Sequence, residues 1–323
     1  MAKESYVGID NVARKLLKRY VGVSNVARTL KKAYIGVAGV ARQCFSSEPV
    51  LSYYGTASPL SAARQSLAAT TIGDYALFGG GHSGTNSAVV DAYNTSLTRS
   101  TPPALSVARN SLAGVTIGNY ALFGGGRTTT YSAVVDAYNR SLMRSTPTAL
   151  SDARQFLAGA SNASYALFGG GDGSTTTPVV DAYNASLTRS TPTAMRAGRN
   201  AYAAASINGY VLFAGGQINT NAASSIVNAY DATLTRTTPT ALSVARYKLS
   251  GASLDDFAVF GGGYTTDVSN VVDAYSTTLT RSIPTVLNAA RQSLAAASVG
   301  AYVLFGGGIV SSASPIVDAY QQL

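Results

Sequence analysis

Tyr75-Ala76-Leu77-Phe78-Gly79-Gly80-Gly81 decides how this chain is built, because the same stretch returns five more times with little change. The triplets after each phenylalanine are Gly79-Gly80-Gly81, Gly124-Gly125-Gly126, Gly169-Gly170-Gly171, Ala214-Gly215-Gly216, Gly261-Gly262-Gly263 and Gly306-Gly307-Gly308. Successive copies lie 45, 45, 45, 47 and 45 residues apart. A second marker keeps the same spacing: Arg64, Arg109, Arg154, Arg199, Arg246 and Arg291. Two markers therefore agree on six units, and self-similarity at such a period signals a repeat architecture.

Each unit divides into four short strands. In the first, Gln65 to Ile72 is predicted as one strand, Gly73-Asp74 as a turn, and Tyr75 to Phe78 as the returning strand. Equivalent turns fall at Gly118-Asn119 and Asn208-Gly209, residue types that accept the positive φ of two-residue hairpins. A third strand is predicted over Ala88 to Tyr93 and a fourth over Ser96 to Ser100, before Pro102 breaks the pattern. Period-2 strands exclude helical solenoids. Four strands in about 45 residues make one propeller blade, so the expected fold is all-β, a six-bladed β-propeller. Small residues in the first strand, as in Ser66-Leu67-Ala68-Ala69-Thr70, would let blades approach closely around the axis.

A strand ending in glycines, a Tyr-bearing strand and an Arg leading into the next unit together resemble the kelch repeat, over roughly residues 50 to 323. The chain departs from it in having no Trp; Leu97, Leu142, Leu187, Leu234 and Leu279 stand near the expected position. Packing between blades must then rely on Tyr, Leu and Phe. The sixth unit stops at Tyr320-Gln321-Gln322-Leu323, where a fourth strand should follow. Val50 to Tyr54 precede the first unit in the register of that missing strand, so they are expected to complete the last blade and remove an exposed edge.

Residues 1–46 carry a different repeat. Tyr6-Val7-Gly8-Ile9, Tyr20-Val21-Gly22-Val23 and Tyr34-Ile35-Gly36-Val37 are 14 residues apart, each followed by Val-Ala-Arg from Val12, Val26 and Val40. Turn-formers between them predict a small β-meander, giving an assembly or docking segment at 1–46 and a binding propeller at 47–323. The pattern resembles tail-associated structural proteins of phages and prophages of Gram-positive bacteria. That resemblance implies a virion segment contacting other tail proteins and supporting self-association.

Composition narrows the function. With 46% hydrophobic and 12% charged residues the chain is too apolar for disorder, and one cysteine, Cys44, excludes an intramolecular disulfide. No apolar run approaches the roughly 18 residues of a membrane helix. The Met1-Ala2-Lys3-Glu4 start lacks a secretory pattern, so synthesis in the cytoplasm is expected. Residues 1–46 hold nine Lys and Arg against two acids, but without interleaved stacking aromatics they do not point to nucleic acid.

Catalytic groups are scarce. One His, His82, and one Cys leave no Ser-His-Asp or Cys-His pair of ordinary type, no zinc cluster and no ligand set for a copper-radical oxidase, and sialidase Asp-box motifs are missing. Asp91, Asp136, Asp181, Asp273 and Asp318 recur in one slot, with Asn228 in the fourth copy, which favours a structural task over catalysis. The repeated Arg carries the same reading, with pairing to a partly buried Asp or to a carbonyl as its expected role. No enzyme activity and no cofactor are expected. The glycine triplets resemble phosphate loops only superficially, since no helix follows them.

Directly after each triplet the repeat stops repeating, at His82, Arg127, Asp172, Gln217, Tyr264 and Ile309, and the two extra residues of the fourth unit fall in the same loop. A second irregular row follows the repeated Arg: Ser66, Ser111, Phe156, Ala201, Lys248 and Ser293. Variable loops on a rigid scaffold are where binding residues sit. The candidate partner-binding residues are therefore His82, Arg127, Asp172, Gln217, Tyr264, Ile309, Phe156 and Lys248. The expected partner is a host-surface receptor, glycan or protein, bound by a phage tail protein. The alternative is a kelch-like protein-interaction module in the bacterial cytoplasm.

Overall fold

The computed structural model describes residues 57–323 apart from 220, 255, 300, 301, 313, 322 and 323, and within residues 1–56 only the strand backbones. The chain falls into two units, Met1–Thr56 and Ala57–Leu323. The expected completion of the last blade by Val50 to Tyr54 lies outside the described residues.

In the first unit the predicted meander is instead three separate hairpins, Tyr6–Ile9 with Val12–Lys15, Tyr20–Val23 with Val26–Thr29, and Lys32–Val37 with Val40–Ser46. Each Tyr-bearing strand pairs only with the Val-Ala-Arg strand two residues after it, as in Ile9 opposite Val12. No ladder joins one repeat to the next among the described residues.

The second unit is all-β, with six sheets in sequence order arranged as propeller blades. Five have four antiparallel strands and the sixth has three among the described residues. Blade 2 shows the pattern: Ala113–Ile117, Tyr120–Gly124, Val135–Asn139 and Arg144–Ser145 pair in chain order. Ile117 faces Tyr120 across the two-residue turn, and Gly118 has φ of 54°.

Three predicted strands are shorter than their sequence suggested, the third beginning at Val90 rather than Ala88. The first begins at Ala68 rather than Gln65, because Ser66 turns the chain with φ of 55°. The fourth is reduced to Arg99–Ser100, because Leu97 adopts φ of 58° in a turn whose Asn94 side chain accepts from the Ser96 and Thr98 amides. Both departures recur in the other blades, at Ser111, Phe156, Ala201, Lys248 and Ser293 and at Leu142, Leu187, Leu234 and Leu279.

Blades are joined by a repeated seam. The third glycine of one blade donates its amide to the repeated arginine's carbonyl in the next, as Gly126 to Arg154 (2.8 Å) and Gly216 to Arg246 (2.9 Å). The first glycine leaves room for the next blade's phenylalanine: a Cβ on Gly124 would lie 2.9 Å from the Phe168 ring. The positive-φ leucines take the place expected for Trp, and Leu142, Leu187, Leu234 and Leu279 each pack on the core of the preceding blade, whereas Leu97 is exposed. Small inner-strand residues have the predicted cause, since a Cβ on Gly114 would stand 2.5 Å from the Ala69 carbonyl oxygen of blade 1.

The blade 6 to blade 1 seam lacks these contacts among the described residues. No atom of blade 1 approaches the Cβ positions of Gly306 or Gly307. Phe78 and Leu67 are half-buried where their counterparts in the other blades are buried, and Val317 is 60% exposed where Val135 is 1% exposed.

Candidate functional site

Strand direction decides which residues share an end of the propeller. Each first strand leaves the end where the post-glycine loop stands and returns to it after the two-residue turn. The post-arginine residue and the post-glycine residue of each blade are bridged there: Gln65 with His82, Asn110 with Arg127, Gln155 with Asp172, Asn200 with Gln217, Tyr247 with Tyr264, and Gln292 with Ile309. The structure thus brings both irregular rows together at one end of every blade. The bridged row at 65, 110, 155, 200, 247 and 292 was missed in the sequence, because its Gln and Asn repetition reads as part of the repeat.

The positive-φ residues link blade to blade there. Ser111 donates its amide to Ser66, Phe156 to Ser111, Lys248 to Ala201 and Ser293 to Lys248, at 2.7–3.0 Å. These left-handed non-glycine residues are held by the surrounding seams, which leaves their side chains fixed in direction. Phe156 is 48% exposed and Lys248 is also exposed.

In blades 1 to 5 the post-glycine loop is a short hairpin, closed by pairs such as Arg127 with Tyr131, Asp172 with Thr176 and Tyr264 with Val268. Neighbouring loops touch. Asn110 donates to the Asn86 side-chain oxygen (2.6 Å), and Asn86 donates to the Arg127 carbonyl (3.3 Å). The Thr176 amide and hydroxyl both donate to Asn219 Oδ1 (2.7 and 2.8 Å), tying blade 3 to blade 4.

Two aromatic features stand out against this polar surface. Tyr247 and Tyr264 meet edge to face with centroids 5.5 Å apart, with Lys248 Nζ 5.7 Å from the Tyr247 ring. The Arg127 guanidinium lies 5.8 Å from the Tyr131 ring. Such rigid amphipathic anchors with adaptable hydroxyls and amides around them suit recognition of a polar partner. On blade 1 a cavity of about 490 Å³ opens between residues 62–64 and the loop, lined by Ser83, Thr85, Asn86 and Ser87 among others. Among the described residues no three His, Cys, Asp or Glu side chains gather to hold a metal ion, and His82 stands without such neighbours.

The repeated Asp and Arg side chains are buried inside the blades, Arg64 also bordering the blade 1 cavity. Asp181 accepts from Arg154 (2.7 Å), Arg189 (2.8 Å) and the Ser151 amide (3.0 Å), and neither Asp181 nor Arg154 is exposed. Burial opposes the charge on Asp91, but hydrogen bonds from Arg64, Ser61 and Arg99 outweigh it and hold that carboxyl below its usual range. In blade 4, Asn228 replaces the carboxylate and Arg199 donates instead to the Gly215 and Ile226 carbonyls, both at 2.6 Å. Burial pushes the Arg199 guanidinium down to about 10. These groups pin each linker to its blade and fix the loops above it.

No protein-family model matches the chain, and no curated protein matches its sequence. Its fold matches many solved chains. One of them, described as the structure of YjhT, superposes with a TM-score of 0.63 at 11% sequence identity, covering 80% of this chain and 95% of that one. At that identity the likeness speaks for the fold alone, and it joins the strand order in assigning residues 57–323 to the six-bladed β-propellers.

Proposed function

We propose that this chain is a non-enzymatic, kelch-like binding protein of a phage or phage-derived tail, which recognises a host-surface receptor through the loop end of its propeller. One observation carries the reading. Within a single chain the six copies differ chiefly in one loop each, and those loops stand at the same end of their blades, bridged to the Gln, Asn and Tyr row that directly precedes the second irregular row. A scaffold held constant six times beneath a surface varied six times is the arrangement expected of recognition. The exposed Ser, Thr and Asn groups and the Tyr247–Tyr264 pair favour a glycan as the receptor. The basic 14-residue repeats supply attachment to other tail proteins in this reading.

Binding of the full chain to an array of bacterial surface glycans tests it. Tyr264→Ala and Arg127→Ala are each expected to weaken the bound signals by about 1–3 kcal/mol with unchanged thermal stability. An array without signals, together with capture of a cytoplasmic bacterial protein that these substitutions release, would replace the tail reading by a cellular interaction module.

A further inference from the structure

The first strands of neighbouring blades lie against one another, so they line the propeller axis, and the left-handed residue two places before each of them stands at the loop-end mouth. These six positions are not filled alike. Blades 6, 1 and 2 carry Ser293, Ser66 and Ser111, whereas blades 3, 4 and 5 carry Phe156, Ala201 and Lys248. A bulky side chain at positive φ is costly, yet Phe156 holds φ of 52° and leaves its ring 48% exposed. Folding does not require a phenylalanine there, since the three serines hold φ of 54–55°.

The ring of amide ties around the mouth has a gap beside Phe156. Ser111, Phe156, Lys248 and Ser293 each donate to the preceding blade, but the Ala201 amide and the Phe156 carbonyl have no partner among the described residues. The next residue of blade 4 is exceptional too. Leu112, Leu157, Leu249 and Leu294 pack against the second glycine of the preceding blade, whereas blade 4 has Tyr202, whose hydroxyl donates to the Gly169 carbonyl of blade 3. A larger side chain thus fills the seam where a leucine fits elsewhere, and the mouth tie next to it is lost.

Charge at the mouth has one sign. Among the described residues the inner strands and the six mouth positions carry a single charged side chain, Lys248. It is exposed beside the Tyr247 ring and has no carboxylate within ion-pair reach among the described residues. The post-glycine row, one strand further from the axis, holds Arg127 and Asp172, which are of opposite sign. A cleft with one sign of charge concentrates counter-ions. A lysine ammonium is a compact point charge suited to phosphate, whereas the planar fork that fits a carboxylate belongs to arginine.

We propose that the mouth over blades 3 to 5 is a subsite for a phosphorylated sugar unit of a surface glycan. The apolar face of the sugar lies on the Phe156 ring, its hydroxyls meet the Phe156 carbonyl and the Ala201 amide, and its phosphate meets Lys248. This rests on the glycan reading above and adds to it the class of sugar.

The test titrates the full chain with glucose 1-phosphate, followed by phosphorus NMR. Saturable one-to-one binding is expected, with glucuronate and glucose each at least tenfold weaker as competitors. Phe156→Ser and Lys248→Ser install the residue that blades 1, 2 and 6 already hold at this φ, and Tyr202→Leu installs the residue of the other seams, so all three variants keep the fold. The two serine variants should each weaken binding at least tenfold, and Tyr202→Leu, which restores the missing tie without touching the ligand, at least threefold. Absence of binding, glucuronate competing as well as glucose 1-phosphate binds, or binding unchanged in any of the three variants overturns the proposal. Displacement by a single-stranded oligonucleotide of higher affinity also overturns it and assigns the subsite to nucleic acid. A glycan-array pattern lost in Tyr264→Ala but kept in Phe156→Ser and Lys248→Ser would sink the subsite and leave the loop-end reading standing.

Discussion

Asp181→Ala removes the acceptor of four hydrogen bonds at once: from Arg154, from Arg189, and from the amide and hydroxyl of Ser151. Arg154 would remain fully buried with only the Phe168 and Asp152 carbonyls (3.2 Å each) as acceptors. Breaking a buried pair by deleting one partner costs about 3–5 kcal/mol, because the remaining charge loses its compensation. At roughly 2–4 °C per kcal/mol for a domain of this size, the midpoint should fall by on the order of 10 °C. Asp181→Asn should cost less, about 1–3 kcal/mol. The native blade 4 shows why: Asn228 Oδ1 keeps the linker bond from the Arg196 amide (3.1 Å), and Arg199 turns to backbone carbonyls. The reciprocal change, Asn228→Asp, gives the buried Arg199 a carboxylate and should raise stability by about 1–2 kcal/mol at neutral pH. Thermal and urea unfolding of the three variants measure this series. Asp181→Ala unfolding within 0.5 kcal/mol of wild type, taking about 0.5 kcal/mol as the ordinary effect of a neutral surface change, would refute the structural role of the repeated pair.

Three other outcomes are expected. Burial raises the phenols of Tyr138, Tyr183, Tyr202, Tyr230 and Tyr275 far above their ordinary value and Tyr320 to about 12, so the unfolded state ionises first; stability holds below pH 10 and falls above it. Arg199, depressed to about 10, and Arg109 and Arg246, also lowered by burial, act in the opposite direction, but three groups do not offset six; tyrosinate absorbance should therefore rise for these residues together with loss of circular dichroism, and full titration near pH 10 in a folded chain would contradict it. Gly125→Ala meets the Arg154 carbonyl oxygen at 2.8 Å with φ of 68° and should cost at least about 2 kcal/mol, whereas Gly84→Ala, with φ of 75° and open space, should cost only the backbone part of about 1–2 kcal/mol; equal unfolding midpoints would sink the seam argument. Phe168→Ala should cost about 3–5 kcal/mol and Phe78→Ala about half as much, because Phe168 is fully buried against Gly124 and Phe78 has no such neighbour from blade 6; a larger loss at Phe78 in urea unfolding would show a closed sixth seam.

Blade number, the two-residue hairpins and the reason for the glycines were legible because each has a local chemical cause that repeats. Gly79 to Gly81 announce a close approach and positive φ whatever surrounds them. Strand limits were less legible. Ser66 and Leu97 adopt left-handed φ although neither residue type signals it. The partner of the repeated Asp could be guessed as Arg. That two arginines converge on it, one from the linker and one eight residues on, needed the three-dimensional register. The post-glycine row was visible as the place where repetition fails, whereas the facing Gln, Asn and Tyr row was hidden by its similarity from blade to blade. The 14-residue repeats were read as one meander because turn chemistry specifies hairpins but says nothing about what pairs with their outer edges.

The most direct test of the account exchanges all six post-glycine loops for the blade 2 sequence, Arg127-Thr128-Thr129-Thr130-Tyr131, and compares the variant with the native chain on an array of bacterial surface glycans. The account predicts that the variant keeps its unfolding midpoint and loses the native pattern of bound glycans, with signals reduced at least tenfold. An unchanged pattern at unchanged strength would contradict it and move recognition to the opposite end of the propeller.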